Sequence, residues 1–69
     1  MMKPGDLVRV NGPARVREVT SSTGTVPVGA VGLVLGVDPK WLGQGATLLV
    51  EGATTRVHQT FLEVISEAG

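Results

Sequence analysis

An apolar run from Val26 to Val37 constrains the fold of this 69-residue chain more than any other stretch. It is about half as long as the ~20 residues that a membrane-spanning helix needs, and it contains Pro27 and glycines at positions 29, 32 and 36. A phosphate-binding glycine loop leads into a helix, whereas the residues after Gly29 alternate as in a strand. The run therefore predicts a strand that its glycines allow to bend.

This predicted strand has two unequal faces, because side chains alternate along a strand with a period of two. One face carries Gly32, Val34 and Gly36, and we expect these glycines to let the strand coil, so that Gly36→Val destabilises the fold. We expect the face with the larger side chains to line the core: Val31, Leu33, Leu35 and Val37.

Four more strands are indicated by short apolar alternations between Gly, Pro and Asn. They are DLVRV (6–10), ATLLVE (46–51), TTRVH (54–58) and LEVI (62–65). A hairpin-like loop with the polar tip TSSTG (20–24) follows the first strand, a two-residue turn at Gly52–Ala53 joins the third and fourth strands, and a helical turn, QTF, precedes the fifth. The order predicts an all-β fold, a five-stranded SH3-like barrel over residues 1–65 with a long loop after strand one and a short helical turn before strand five, and a disordered tail over 66–69.

Three segments carry a resemblance to known families: PGDLVRV (4–10), PVGAVGLVLGVD (27–38) and LLVEG (48–52). Together they resemble the KOW-type SH3-like barrel. With the ending HQTFLEVI (58–65), the layout is also similar to photosystem I subunit IV, to the variable chain of ferredoxin–thioredoxin reductase and to short phage-encoded SH3-like proteins. The resemblance implies a barrel and no shared chemistry. Its phage members imply an accessory or capsid-associated protein.

Composition argues against several classes of function. Six Lys and Arg balance six Asp and Glu, so the chain lacks the basic excess that is typical of nucleic-acid binders. It has no cysteine, and His58 is its one histidine, so we expect no metal site, no cofactor and no enzymatic activity. With no signal-peptide pattern and no membrane span in the sequence, we expect a cytoplasmic protein, or a virion protein if it is phage-encoded.

The candidate binding residues lie in loops and on outward strand positions: Arg15, Arg17, Ser21, Ser22, Trp41, Arg56 and His58. Trp41 is either a lid over one end of the barrel or an exposed interface anchor, and the arginines are either solvated or part of a patch. We predict a non-enzymatic protein-binding or assembly module that docks through residues 15–25 and the Trp41 loop onto a protein partner or another copy. The alternative is a KOW-like RNA- or DNA-binding domain that uses Arg9 and Arg56 with the two loop arginines.

Overall fold

The computed structural model describes residues 2–38 and 44–69. In this part of the chain it has seven β-strands and one 3₁₀ turn, and no helix long and apolar enough to cross a membrane. The strands are β1 (Leu7–Val10), β2 (Glu18–Ser21), β3 (Gly24–Pro27), β4 (Val31–Asp38), β5 (Gly45–Val50), β6 (Ala53–His58) and β7 (Leu62–Ser66), and the 3₁₀ turn is Gln59–Phe61.

Five of the strands form one antiparallel sheet in the order β6-β5-β4-β1-β7, and β2 and β3 form a separate hairpin. The all-β prediction is confirmed. The prediction of a closed five-stranded barrel is wrong, because β6 and β7 are the two edges of the sheet and do not pair with each other. The segment predicted as a long loop contains the two additional strands, and its tip lies against the edge of β6.

Hydrogen bonds fix the chain around and after β6. His58 caps the predicted helical turn, with its Nδ1 atom accepting a hydrogen bond from the Thr60 amide at 3.1 Å. Strand β7 continues to Ser66, one residue past the predicted end of the barrel. In the segment predicted to be a disordered tail, the Ala68 amide donates a hydrogen bond to the Asp6 carboxylate at 2.7 Å.

A two-residue turn joins β5 to β6, one position earlier than predicted. Glu51 and Gly52 both have positive φ angles, 49° and 80°, and Val50 pairs with Ala53. Two positive φ angles in succession are the mark of a type I′ hairpin turn, whose twist matches that of the flanking strands. The turn therefore sets the β5–β6 register, and with it the face of the sheet that each β5 side chain occupies.

The hydrophobic core lies between the inner face of the sheet and the hairpin. It is built mainly of small aliphatic side chains, and the largest of them is Leu48. The hairpin contributes Val19 and Val26, which are cross-strand partners. The buried core residues are Val8, Val10, Val19, Val26, Val34, Ala46, Leu48 and Val57.

The orientation predicted for β4 is wrong. Val34 and Gly32 are buried, and Val34 pairs with the buried Leu48 of β5. The residues predicted to line the core are exposed or half-buried instead: Val31, Leu33, Leu35 and Val37. Gly32 and Val34 therefore lie on the face that packs against the rest of the domain. The β4–β5 register shifts after Val34, so that Gly36 pairs with Thr47, the neighbour of buried Leu48 in β5.

Lack of space at Gly32 explains this orientation. A Cβ atom at Gly32 would lie 2.8 Å from Cγ2 of Val50 and 3.1 Å from the carbonyl oxygen of Leu49. A Cβ atom at Gly36 would meet nothing within 4 Å. Close packing against a glycine of β4 thus occurs at Gly32. At Gly36, where the sequence predicts coiling of the strand and hence a destabilising Gly36→Val substitution, an added Cβ atom would meet no steric obstacle.

Asp6 ties the two chain ends to the sheet. Its carboxylate is fully buried and accepts hydrogen bonds from the Ala68 amide and, at 3.0 Å, from the Lys3 amide. The Lys3 ammonium lies 3.3 Å from the same carboxylate. The Ala68 hydrogen bond, together with the Lys3 contacts, lowers the pKa of Asp6 below its ordinary value, although burial opposes that shift.

Candidate interaction surface

Three leucines form one row across the outer face of the sheet. Leu7 of β1 pairs with Leu33 of β4, and Leu33 pairs with Leu49 of β5. Residues directly opposite each other in antiparallel strands project from the same face, with Cβ atoms about 5 Å apart. The three side chains therefore form a continuous apolar row over the three central strands of the sheet.

The row is exposed, and β4 extends it in both directions. Leu7 keeps 39% and Leu49 keeps 37% of its surface accessible, and Leu33 is half-buried. Val31, two residues before Leu33 on the same face, is 47% exposed. Leu35 lies where the register between β4 and β5 shifts, and it is 44% exposed. We name these five residues the leucine face: Leu7, Val31, Leu33, Leu35 and Leu49.

Two ion pairs lie at opposite sides of the leucine face. Arg9 of β1 lies 3.4 Å from Glu63 of β7, beyond Val31, which is the cross-strand partner of Arg9. Arg56 of β6 lies 3.3 Å from Asp38 of β4, toward the opposite end of the strands. Each pair joins one positive and one negative charge, so the border of the face is charged but electrically balanced.

The tip of the β2–β3 hairpin is fixed to the outer edge of β6. The Ser22 amide donates to the Arg56 carbonyl at 2.9 Å, and the Arg56 amide donates to Oγ of Ser22 at 2.8 Å. The hydroxyl oxygens of the neighbouring Thr23 and Thr55 are 2.8 Å apart. Ser22 therefore satisfies both outward-facing backbone groups of Arg56, as a neighbouring strand would do.

These contacts locate several of the residues predicted from the sequence to bind a partner. Hydrogen bonds between the backbone of Arg56 and the amide and hydroxyl of Ser22 bring these two residues together. Buried Ser21 accepts a 3.3 Å hydrogen bond from the Thr23 amide. The polar groups predicted to meet a partner thus make hydrogen bonds within the fold. The structure gives them a role in holding the hairpin on the sheet.

The predicted arginine patch is divided among separate places. Arg15 and Arg17 are exposed in the segment before β2, and Arg15 has a φ angle of 71°. Arg9 and Arg56 are on the outer face but in strands three positions apart in the sheet, which corresponds to about 14 Å. Each of these two also has a carboxylate partner, so the structure does not bring the four arginines into one cluster.

His58 is half-buried at the end of β6. Besides capping the 3₁₀ turn, its ring lies 6.4 Å from the ring of Phe61 in an edge-on arrangement, a favourable aromatic geometry. These contacts assign His58 a structural role. Trp41, the remaining predicted binding residue, lies outside the described residues.

Three clefts lie on the described part of the surface. The first, of about 300 Å³, is lined by Asn11, Gly12, Pro13, Thr60 and Phe61. The second, of about 240 Å³, lies between β3 and the β5–β6 hairpin and includes Glu51. The third, of about 220 Å³, lies beside the hairpin tip and includes Arg56. Each of them contains at most one ionisable side chain, and no group of three metal-ligating side chains occurs within residues 2–38 and 44–69.

Sequence reasoning missed the leucine face because it assigned Leu33 and Leu35 to the core. The signal that could have revealed the face is the presence of leucines at positions that can face outward in β1, β4 and β5, together with Gly32 on the opposite face of β4. Comparison of the chain with protein-family models, with curated proteins and with solved structures finds no match in any of the three.

Proposed function

We propose that this chain is a non-enzymatic protein-binding or assembly module that binds through the leucine face. The observation that carries the proposal is the row of Leu7, Leu33 and Leu49, which lies on the solvent side of three adjacent strands. Contiguous exposed apolar patches on small proteins mark interaction sites, whereas scattered apolar residues are ordinary. The small number of ionisable groups in each described cleft supports a binding role over catalysis.

The size of the exposed apolar surface limits how strongly it can bind. Four members of the leucine face are each about two-fifths exposed, and full burial of a Leu or Val side chain is worth about 1.5–3 kcal/mol. Covering the four then contributes roughly 2–5 kcal/mol, which only approaches the lower end of the ~4–15 kcal/mol cost of association. A partner must therefore present a comparable apolar surface of its own.

We also keep the SH3-like architecture as a proposal. The hairpin after the first strand, the tight turn between β5 and β6 and the 3₁₀ turn before the last strand support it. Docking through residues 15–25 stays a prediction, with exposed Arg15 and Arg17 as its available side chains. A phage accessory role likewise stays a prediction.

Site-specific photo-crosslinking in cells tests the proposed surface. A photoreactive amino acid is placed at position 35, on the leucine face, and in a second version at position 17, before the hairpin. We expect protein adducts from position 35, and we expect Leu49→Thr to reduce them, because threonine keeps the strand but removes apolar contact area.

The outcomes separate the proposed surface from its competitor. Adducts only from position 17 would support docking through the hairpin and overturn the leucine face as the binding surface. If neither position yields adducts, or if adducts from position 35 are unchanged by Leu49→Thr, the proposed function fails.

A further inference from the structure

The outer face of the sheet lacks a second layer in the described part of the chain, whereas the inner face has one. Buried Val8, Val34 and Leu48 project toward the hairpin side, and the leucines beside them project outward. A β-sheet with apolar residues on both faces is stable in water when a layer covers each face. Among the described residues no element covers the leucine face, so a partner that binds it must supply a matching apolar layer.

The charges around the leucine face favour an electrically neutral, apolar occupant. Its bordering charges are joined in the Arg9–Glu63 and Arg56–Asp38 pairs, so the border offers no excess of either sign to attract a strongly charged partner. The whole chain has a formal net charge of zero. Copies of this chain therefore meet without the net repulsion that keeps highly charged proteins apart.

The area available is close to what a stable dimer needs. The molecule measures 32 × 24 × 22 Å and has an accessible surface of 4411 Å². The outer face of the sheet forms one of its six sides, whose average area is about 700 Å², compared with ~800 Å² per partner in a standard interface. A second copy supplies an apolar face of the same size and width.

We propose that the leucine face binds the leucine face of a second copy, so that the five-stranded sheets of two copies pack face to face. The proposal rests on the proposed function and names its partner. A two-fold arrangement brings the same surface from both copies together, and the sheets then stack about 10 Å apart with their side chains interdigitating. Leu33, in the middle of the row, lies near the centre of the interface.

Analytical ultracentrifugation of the full chain from micromolar to millimolar concentration tests the proposal. We expect the mass to rise from 7.1 kDa toward twice that value. Val31→Thr and Leu49→Thr should each weaken the dimer about tenfold or more, because each variant loses its contacts in both copies at once. Val16→Thr is the matched control, because Val16 is 40% exposed outside the sheet and should leave the dissociation constant unchanged.

A single-cysteine experiment reports the geometry separately, since the chain has no cysteine of its own. Leu35→Cys should be joined to a second copy by a short bis-maleimide linker, and Val16→Cys should not. Circular dichroism and thermal melting confirm that each variant is folded.

Two results would overturn the proposal: a monomer at every concentration, or a dimer that Val31→Thr and Leu49→Thr do not weaken. A monomer whose position 35 still forms adducts with other proteins in cells would remove the second copy as the partner and leave the proposed function standing.

Discussion

The two faces of the five-stranded sheet use aliphatic side chains in opposite ways. The fully buried aliphatic residues of the inner face are valines, an alanine and Leu48, with half-buried Leu62 beside them, and they pack against the hairpin. The outer face displays leucines to solvent. Leu48 and Leu49 are adjacent in β5, yet the first is fully buried and the second is 37% exposed. The comparison shows that the size of an apolar side chain does not decide whether it is buried in this domain. The face of the sheet on which the side chain lies decides it.

Alanine substitutions at Leu48 and Leu49 give the largest expected contrast between the faces. Leu48→Ala should lower the free energy of unfolding by about 2–5 kcal/mol, because it leaves a cavity in a closely packed core. Leu49→Ala removes the same atoms from a partly solvated position and should cost less than about 1 kcal/mol. Urea denaturation of both variants, at a concentration where the chain is monomeric, measures the difference. Equal losses would show that the outer face is packed as tightly as the inner one.

The glycines of β4 give the next contrast. Gly32→Ala should destabilise the fold by about 1–3 kcal/mol, since its Cβ atom would lie 2.8 Å from Cγ2 of Val50. Gly36→Ala meets open space and should be neutral or slightly stabilising, because alanine reduces the entropy of the unfolded chain. Thermal melting of the pair checks this assignment. A larger loss of melting temperature for Gly36→Ala than for Gly32→Ala would contradict this assignment. It would support the sequence-based expectation that the fold depends on glycine at position 36.

Asp6, which is buried next to the start of β1, makes the free energy of unfolding depend on pH in the acid range. Its pKa is lowered in the folded state, so its stabilising contribution is present above the ordinary aspartate pKa of about 3.9. The contribution is lost as the pH falls through the lower pKa of the folded protein. Asp6→Asn should lower the melting temperature at neutral pH and flatten its decline as the pH falls below the ordinary aspartate pKa of about 3.9. Melting curves that stay parallel for the two proteins over that range would contradict this role.

The smallest expected effect lies in the turn that sets the alternation of β5 and β6. Glu51 occupies a position with a φ angle of 49°, which asparagine adopts more readily than glutamate. Glu51→Asn should therefore raise the free energy of unfolding by about 0.5 kcal/mol, as replacements that fit the local backbone do. Urea denaturation measures the gain, and Glu51→Ala serves as the control that should show none. A loss of stability in Glu51→Asn would mean that the glutamate makes a contact worth more than its backbone strain.

Sequence pattern was enough to predict the strands that have regular alternation and clear turn residues. β1, β5, β6, β7 and the 3₁₀ turn lie close to their predicted positions. Where β2 and β3 form, the sequence predicts only a hairpin-like loop, because Thr20–Gly24 is polar and short. These two strands are held by their pairing and by the Ser22–Arg56 bonds to β6, which are contacts between residues far apart in the chain.

The candidate site was less accessible to sequence reasoning than the fold. Alternation along β4 divides its residues into two sets, but it carries no information about which set faces inward. The predicted binding residues Ser21, Ser22 and His58 have polar side chains, yet in the structure these side chains accept hydrogen bonds from backbone amides of the domain itself. The leucine face depends on the register between strands, which places Leu7, Leu33 and Leu49 side by side. Sequence pattern within one strand does not predict that register.

By itself, the sequence determined the all-β character and the strand-and-turn order of this protein, because period-two patterning and turn residues act over a few neighbouring positions. The tertiary structure alone decided which face of β4 is buried and where the hairpin tip lies, and it left the barrel unclosed. Those outcomes depend on distances between strands that are far apart in the chain. The close approach of β5 to Gly32 keeps this glycine on the inner face and leaves Leu33, its neighbour in β4, on the outer face.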